Sequence, residues 1–212
     1  GDPGAGKTTL MQYLAYQCTK REGCKLIPAL ITLTAYVESK TKNLRLYIEK
    51  LFEDNGFPKA QDYIERQLKA GEFLILFDGF DEVDIGRREE IKRQIEDFAN
   101  NAVYAGNKFV VTSRPIRGAS FENFRHLEVM PLTSEQRKRF LESKIDKSPK
   151  SDFDAQRCAQ LVEAIENHNR IRKLAENPLL LTFIYHVYKY NLEIPRYRVE
   201  LYRLSIDLML GW

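Results

Sequence analysis

The 212-residue sequence predicts an α/β fold: a parallel sheet covered by helices on both faces, then a smaller all-helical part. Three observations predict it. From residue 25 to about residue 130, short apolar runs alternate with helix-patterned stretches, and that alternation folds as a parallel sheet between helices. A glycine-rich turn, Gly1-Asp2-Pro3-Gly4-Ala5-Gly6, runs into a stretch without Gly or Pro, Thr9–Arg21. After Pro131 the apolar residues keep helical spacing only.

The opening turn carries the first chemistry. Gly1, Gly6, Lys7 and Thr8 fill the pattern G-x-x-x-x-G-K-[ST], the phosphate-binding loop of P-loop NTPases. A glycine-rich turn lets successive backbone N–H groups point inward at a polyphosphate. Lys7 is placed to reach the β- and γ-phosphates as a point charge, and the Thr8 hydroxyl to hold Mg²⁺. Thr9 is expected near the α-phosphate. The helix that starts near Gly6 adds its positive dipole end. Gly1, Asp2, Pro3, Gly4, Ala5, Gly6, Lys7, Thr8 and Thr9 are therefore the expected nucleotide-binding residues. By composition, such a match arises by chance in roughly one chain in a hundred of this length. The strand that should deliver this loop does not precede it, so the sequence reads as a piece of a longer protein.

The remaining elements follow in order. In Thr9–Arg21, Leu10, Tyr13, Leu14 and Cys18 lie at helical spacing. Lys25–Thr34 is apolar and reads as a buried parallel strand, which Pro28 either shortens or confines to an edge. Leu44–Asp54 is a helix with Leu44, Tyr47, Ile48 and Leu51 on one face, closed by Asn55-Gly56. Ala60–Ala70 is a second, with Tyr63, Ile64, Gln67 and Leu68 inward and Gly71 as its stop. Phe73–Phe77 is an apolar strand, Gly86–Tyr104 a helix with Ile91, Ile95 and Phe98 inward, and Lys108–Thr112 another strand. His126–Met130 is the last expected strand. Thr133 or Ser134 caps a helix through Lys144. Asp146–Ser151, polar and containing Pro149, is the expected hinge. Asp154–Ile165, Arg170–Glu176, Leu179–Tyr190 and Arg198–Leu210 read as helices.

Composition bounds the function. The chain is 43% hydrophobic and 30% charged, ordinary for a globular protein, and its net charge of +3 is too small to argue for nucleic acid. The basic runs Arg137-Lys138-Arg139 and Lys144–Lys150 read as a solvated helix face and a hinge. The aromatics of Phe183–Tyr190 read as core rather than a stacking surface. Three cysteines, Cys18, Cys24 and Cys158, form neither a disulfide framework nor a zinc pattern, which fits a reducing, cytoplasmic setting. The longest apolar runs fall short of a membrane span. His126, His168 and His186 match no ligand pattern.

Two further motifs join the first loop. Phe73-Leu74-Ile75-Leu76-Phe77-Asp78 is a buried strand ending in an acid, which places Asp78 beside a Mg²⁺ held by Thr8. Asp81 and Glu82 follow within one turn, and one of them is expected to polarise the water that attacks the γ-phosphate. Val110-Val111-Thr112-Ser113-Arg114-Pro115 brings polar residues to the carboxyl end of another strand, where open parallel sheets bind ligands. Arg114 there is placed to bond the γ-phosphate.

The order GDPGAGKTT, LILFDGFDEV, VVTSRP and ENPLLLTFI resembles the NACHT branch of the STAND ATPases, relatives of AAA+ proteins. Members are similar in the small residue after the metal aspartate, Gly79 here, and in the two acids Asp81 and Glu82. The resemblance implies a P-loop three-layer sandwich with strand order 5-1-4-3-2, its first strand lying before Gly1. It implies ATP or dATP rather than GTP, and no guanine-reading Asn-Lys-x-Asp occurs in the sequence. It implies a nucleotide-binding domain over 1–131 and a helical subdomain over 132–212, continuing into a winged-helix domain beyond Trp212. It sets Pro178 against the adenine or ribose, although Asn177-Pro178 reads equally as a helix start. The implied role is a slowly hydrolysing switch in signalling or antiviral defence. Its nucleotide state would control homo-oligomerisation of the longer protein, with no direct nucleic acid or membrane partner. The competing readings are an AAA+ type mechanical or nucleic-acid-processing ATPase, which would carry an acid rather than Gly79 after Asp78, and a non-hydrolysing scaffold.

Overall fold

The computed structural model describes residues 1–20, 25–116, 120–145, 153–191, 194 and 197–210. The expected hinge at Asp146–Ser151, Cys24 and the C-terminal Trp212 lie outside them. The chain divides into two compact units, one of Gly1–Asp2 with Lys7–Glu128, the other of Pro3–Gly6 with Val129–Trp212.

The first unit is α/β. Its sheet contains β1 (Ile27–Thr32), β2 (Phe73–Asp78) and β3 (Lys108–Val111), all parallel, with β2 in the centre. Around it are α1 (Lys7–Lys20), α2 (Leu33–Glu38), α3 (Leu44–Asp54), α4 (Gln61–Ala70) and α5 (Ile85–Ala99). The order β1-β2-β3 corresponds to strands 2, 3 and 4 of the expected arrangement, where they are neighbours.

Every residue of β2 is buried, as a strand covered on both faces requires. Alternation divides its side chains. Phe73, Ile75 and Phe77 face the larger core, with Ile48, Ile64, Ile91 and Ile95 of α3, α4 and α5. Leu74 and Leu76 face Met11 of α1. Helices therefore cover both sides of the sheet. Pro28 lies inside β1, which is an edge strand, the place where a residue lacking an N–H is tolerated.

Several sequence expectations are corrected. The packing face of α1 is Met11, Leu14, Ala15 and Cys18, while Leu10 and Tyr13 are exposed. The helix turned by about one residue relative to the apolar pattern because Met11 fits against Leu74 and Leu76. Tyr63 of α4 is also exposed; Ile64 and Leu68 carry the packing. A helix, α2, follows β1 directly where none was expected, burying Leu33 and Tyr36. The helix expected to reach Tyr104 ends at Ala99, because Asn101 accepts from Val103 N and starts a separate 3-10 turn. No strand forms over 126–130, and Leu127 and Met130 are exposed.

The second unit is helical from Ser134 onward: α6 (Ser134–Glu142), α7 (Ala155–Asn167), α8 (Asn169–Ala175), α9 (Pro178–Asn191) and α10 (Arg198–Leu210). Leu141, Phe153, Leu161, Ile165, Ile184 and Leu201 are among its buried residues. Ile184, Tyr185 and Tyr188 of α9 join that core. Arg137 departs from the solvated face expected of it. It is buried, gives Nη2 and Nε to Glu166 Oε1 at 2.6 and 3.1 Å, and gives Nη1 to the Leu132 carbonyl at 2.8 Å. Among the described residues no helix is long and apolar enough to cross a membrane.

Helix α6 starts in a capping box. Thr133 Oγ1 accepts from Gln136 N at 3.2 Å, and Gln136 Oε1 accepts from Thr133 N at 2.9 Å. Thr133→Ala is expected to cost about 1 kcal/mol of unfolding free energy in a urea titration. A change below a few tenths would mean that the rest of the unit holds α6 without its cap.

Candidate functional site

The first unit gathers the charged groups at the carboxyl end of its sheet. Asp78 is the last residue of β2, and only 8% of it is exposed. Its two carboxylate oxygens take different hydroxyls. Thr8 Oγ1, in the first turn of α1, donates to Oδ2 at 2.8 Å. Thr112 Oγ1, immediately after β3, donates to Oδ1 at 2.5 Å. The same Thr112 oxygen accepts from Gly79 N at 3.0 Å, while Thr112 N donates to the Phe77 carbonyl. Thr112 thus fixes both the acid and the turn after it.

That turn depends on Gly79. Its φ of 82° is left-handed backbone, and an added Cβ would stand 3.1 Å from Glu82 Oε2. The chain then makes a 3-10 turn over Phe80–Glu82, with Phe80 buried against Phe121. Asp81 and Glu82 leave this turn in different environments. Asp81 Oδ1 accepts Arg114 N at 2.8 Å, and Oδ2 pairs with Arg114 Nε at 2.9 Å. Arg88 Nη2 donates to the Asp81 carbonyl at 2.7 Å and Nε to the Val83 carbonyl at 2.9 Å. Glu82 is exposed; its backbone N–H donates to the Gly79 carbonyl at 3.0 Å, while its carboxylate has no hydrogen bond or ion pair among the described residues.

At the loop, Lys7 Nζ donates to the carbonyls of Gly1 at 2.8 Å and Asp2 at 3.1 Å. The Gly1 amine donates to the Ser113 carbonyl at 3.2 Å. Thr9 is exposed on the first turn of α1. The first unit therefore brings Gly1, Asp2, Lys7, Thr8, Asp78, Asp81, Glu82 and Arg114 to one end of one sheet. Two clefts of about 290 and 300 Å³ lie elsewhere in this unit, the first lined by Tyr47, Lys50 and Asp54, the second by Asn43, Gln94 and Tyr104.

Residues 3–6 group with the second unit. Gly4 and Gly6 have φ of 75° and 88°. Asn177 Nδ2 donates to the Pro3 carbonyl at 2.8 Å, and Leu179 N to the Gly4 carbonyl at 3.3 Å. A Cβ on Gly4 would sit 2.7 Å from Leu179 Cβ, so no other residue fits there without movement. Asn177 Oδ1 also accepts from Leu179 N and Leu180 N, which caps α9, and Pro178 is the first residue of that helix.

The donor set suits a hard cation. A threonine hydroxyl and one carboxylate are oxygen ligands of the kind Mg²⁺ takes when water fills its remaining positions. No group of three or more His, Cys, Asp or Glu able to hold a metal occurs among the described residues. Thr112 was not singled out in the sequence as a partner of Asp78. The signal was its place as the first polar residue after the apolar run of a strand beside β2.

A parallel sheet, a glycine loop opening a helix, and a buried strand whose terminal acid meets the loop's threonine define a nucleotide-binding module of the P-loop NTPase class. The family model of the NACHT domain matches residues 1–148, and the chain belongs to that family. Membership brings nucleotide binding and NTPase activity in general, with Mg²⁺ as the accompanying cation. No curated protein matches the chain significantly.

Proposed function

We propose that this chain is the ATP-binding, slowly hydrolysing switch module of a signalling or defence protein, whose nucleotide state controls homo-oligomerisation of the longer protein in the cytoplasm. The observation that carries the nucleotide part is the Thr8–Asp78 bond between groups 70 positions apart, next to Lys7. A hydroxyl and an acid from separate elements meet where a loop of this pattern needs its metal ligands.

In this reading residues 1–131 form the nucleotide core and 132–212 a helical subdomain. The loop's backbone N–H groups and Lys7 bind the phosphates, with Thr9 near the α-phosphate and Pro178 near the base. Thr8 and Asp78 would hold Mg²⁺, which when bound neutralises charge on the phosphate oxygens. Arg114 reads the γ-phosphate, and an acid of the Phe80–Glu82 turn orients the attacking water. In this reading the base is adenine, as the family resemblance implies, and the sequence carries no guanine-reading Asn-Lys-x-Asp motif.

The test is a titration with fluorescent ATP, ADP and GTP analogues, with and without Mg²⁺. Saturable, Mg²⁺-dependent binding that favours ATP over GTP is expected. Bound ATP at a hundred times its Kd should raise unfolding free energy by about 2.7 kcal/mol. No saturable binding up to millimolar nucleotide would remove the proposal, and GTP preference would remove its adenine part.

A further inference from the structure

The two acids after Asp78 are alike in sequence and differ in surroundings, and the difference assigns them separate roles. This inference rests on the nucleotide reading above. We propose that Asp81 is a positioning residue that holds Arg114 for the γ-phosphate, and that Glu82 alone acts on the attacking water.

Asp81 is committed at both oxygens to one partner. Oδ1 takes the Arg114 backbone N–H and Oδ2 the Arg114 Nε–H, at 2.8 and 2.9 Å. Its side chain is 7% exposed, against 48% for Arg114. Its own carbonyl is fixed by Arg88, which also bonds the Val83 carbonyl, so the turn carrying Asp81 is tied at two points. A carboxylate so enclosed has little room for a water. It has a use instead. By gripping the guanidinium at Nε, it leaves the two terminal nitrogens of Arg114 unbonded among the described residues. Those nitrogens form the fork that pairs with phosphate oxygens.

Glu82 has the opposite surroundings. It is exposed, unpaired among the described residues, and folded over Gly79, one residue beyond the metal-site acid Asp78. A free carboxylate beside the metal acid is what a water-orienting group needs. In the step it serves, the water oxygen bonds the γ-phosphorus while the bond from phosphorus to the β,γ-bridging oxygen breaks. The water proton passes to the Glu82 carboxylate, and ADP leaves with the electron pair on the bridging oxygen.

A double-mutant cycle on the full 212-residue chain separates the roles. Asp81→Asn keeps the shape and the acceptor for the Arg114 backbone but replaces the second acceptor by a donor, and Asp81→Ala removes both. Titrations with fluorescent ATP and ADP give the ATP-to-ADP affinity ratio, and phosphate release gives turnover. The ratio is expected to fall about tenfold in Arg114→Ala and comparably in Asp81→Asn, the loss of roughly one charge-assisted bond. Adding Asp81→Asn to Arg114→Ala should change neither ratio nor turnover by more than about twofold, because a residue acting through another has no effect once that partner is gone. Glu82→Gln should lower turnover about a hundredfold or more while ATP still binds. Urea unfolding of each variant identifies one that fails to fold, and the asparagine variant then carries the comparison. A further hundredfold loss on adding Asp81→Asn to Arg114→Ala would overturn the assignment, since Asp81 would then act on the water itself. Full turnover in Glu82→Gln, or a wild-type ratio in Asp81→Asn or in Arg114→Ala, would overturn it also. If the wild-type chain binds no nucleotide, the function proposed above fails, and with it this assignment. Wild-type binding with unaltered ratios in the variants sinks the assignment alone.

Discussion

Lys7→Ala is expected to weaken ATP binding by about a hundredfold or more, equal to about 2.7 kcal/mol, with little change in fold stability. Lys7 is half-buried and its ammonium donates to the Gly1 and Asp2 carbonyls, so it is held against that backbone before any phosphate arrives. Two neutral carbonyls are modest partners. Exchanging them for phosphate oxygens converts ordinary bonds into charge-assisted ones, each worth about 1.5–3 kcal/mol. Alanine removes the charge and leaves two carbonyls that water can reach, so the cost to folding should stay within about 1 kcal/mol. Lys7→Arg should rescue poorly, because a planar fork does not replace a compact point charge in a tight loop. Fluorescent-nucleotide titration and urea unfolding of all three proteins check this. Equal affinities in wild type and Lys7→Ala would take the loop out of nucleotide binding.

The fold was legible in the sequence where local pattern and tertiary environment agree. Strand β2 is an unbroken apolar run in the middle of a sheet, so burial on both faces shows directly in its residues. Helix α3 begins and ends where its sequence says, with Asn43 as its side-chain cap, and α10 begins at the expected Arg198. The errors arose where a neighbour decided. Met11 rather than Leu10 faces the sheet because Leu74 and Leu76 lie opposite it. Arg137 looks like one of three exposed basic residues until Glu166, 29 positions on, draws it inward. The edge position that admits Pro28 is likewise a property of the sheet, not of the strand.

The arrangement of the candidate site was legible to a similar depth and for the same reason. Motif spacing gives residue types at element ends, hence Lys7, Thr8 and Asp78. It says nothing of partners across the sheet. Thr112 and Arg114 come from the segment just after β3, more than 30 positions from the acids they meet. Asp81 and Glu82 are adjacent and chemically similar, so sequence alone leaves them interchangeable. What separates them is a long-range contact to Arg114 that one makes and the other does not.

Asp78→Asn should abolish most Mg²⁺-dependent turnover and leave the nucleotide-free protein as stable as before, or more so. The side chain is buried, and among the described residues it forms no ion pair; its partners are two neutral hydroxyls. A buried carboxylate without a countercharge is costly to a fold. Asparagine has the same shape. Its oxygen can accept from Thr112, and its amide can donate to the Thr8 oxygen, so both contacts survive without the charge. A gain of about 0.5–2 kcal/mol in the absence of nucleotide is the size expected when a group kept for function is replaced by one suited to the fold. Turnover should move the other way, by about a hundred- to a thousandfold, since the acid that would share the metal with Thr8 is lost. The two signs make the test discriminating. Urea unfolding without nucleotide gives the first and phosphate release with Mg²⁺-ATP the second. Were Asp78 a structural acid that merely ties α1 and β3 to β2, losing it would lower stability and turnover together. A loss of more than about 1 kcal/mol in the nucleotide-free protein would favour that view. Opposite shifts would identify Asp78 as a group whose place in the core is justified by the cation it holds.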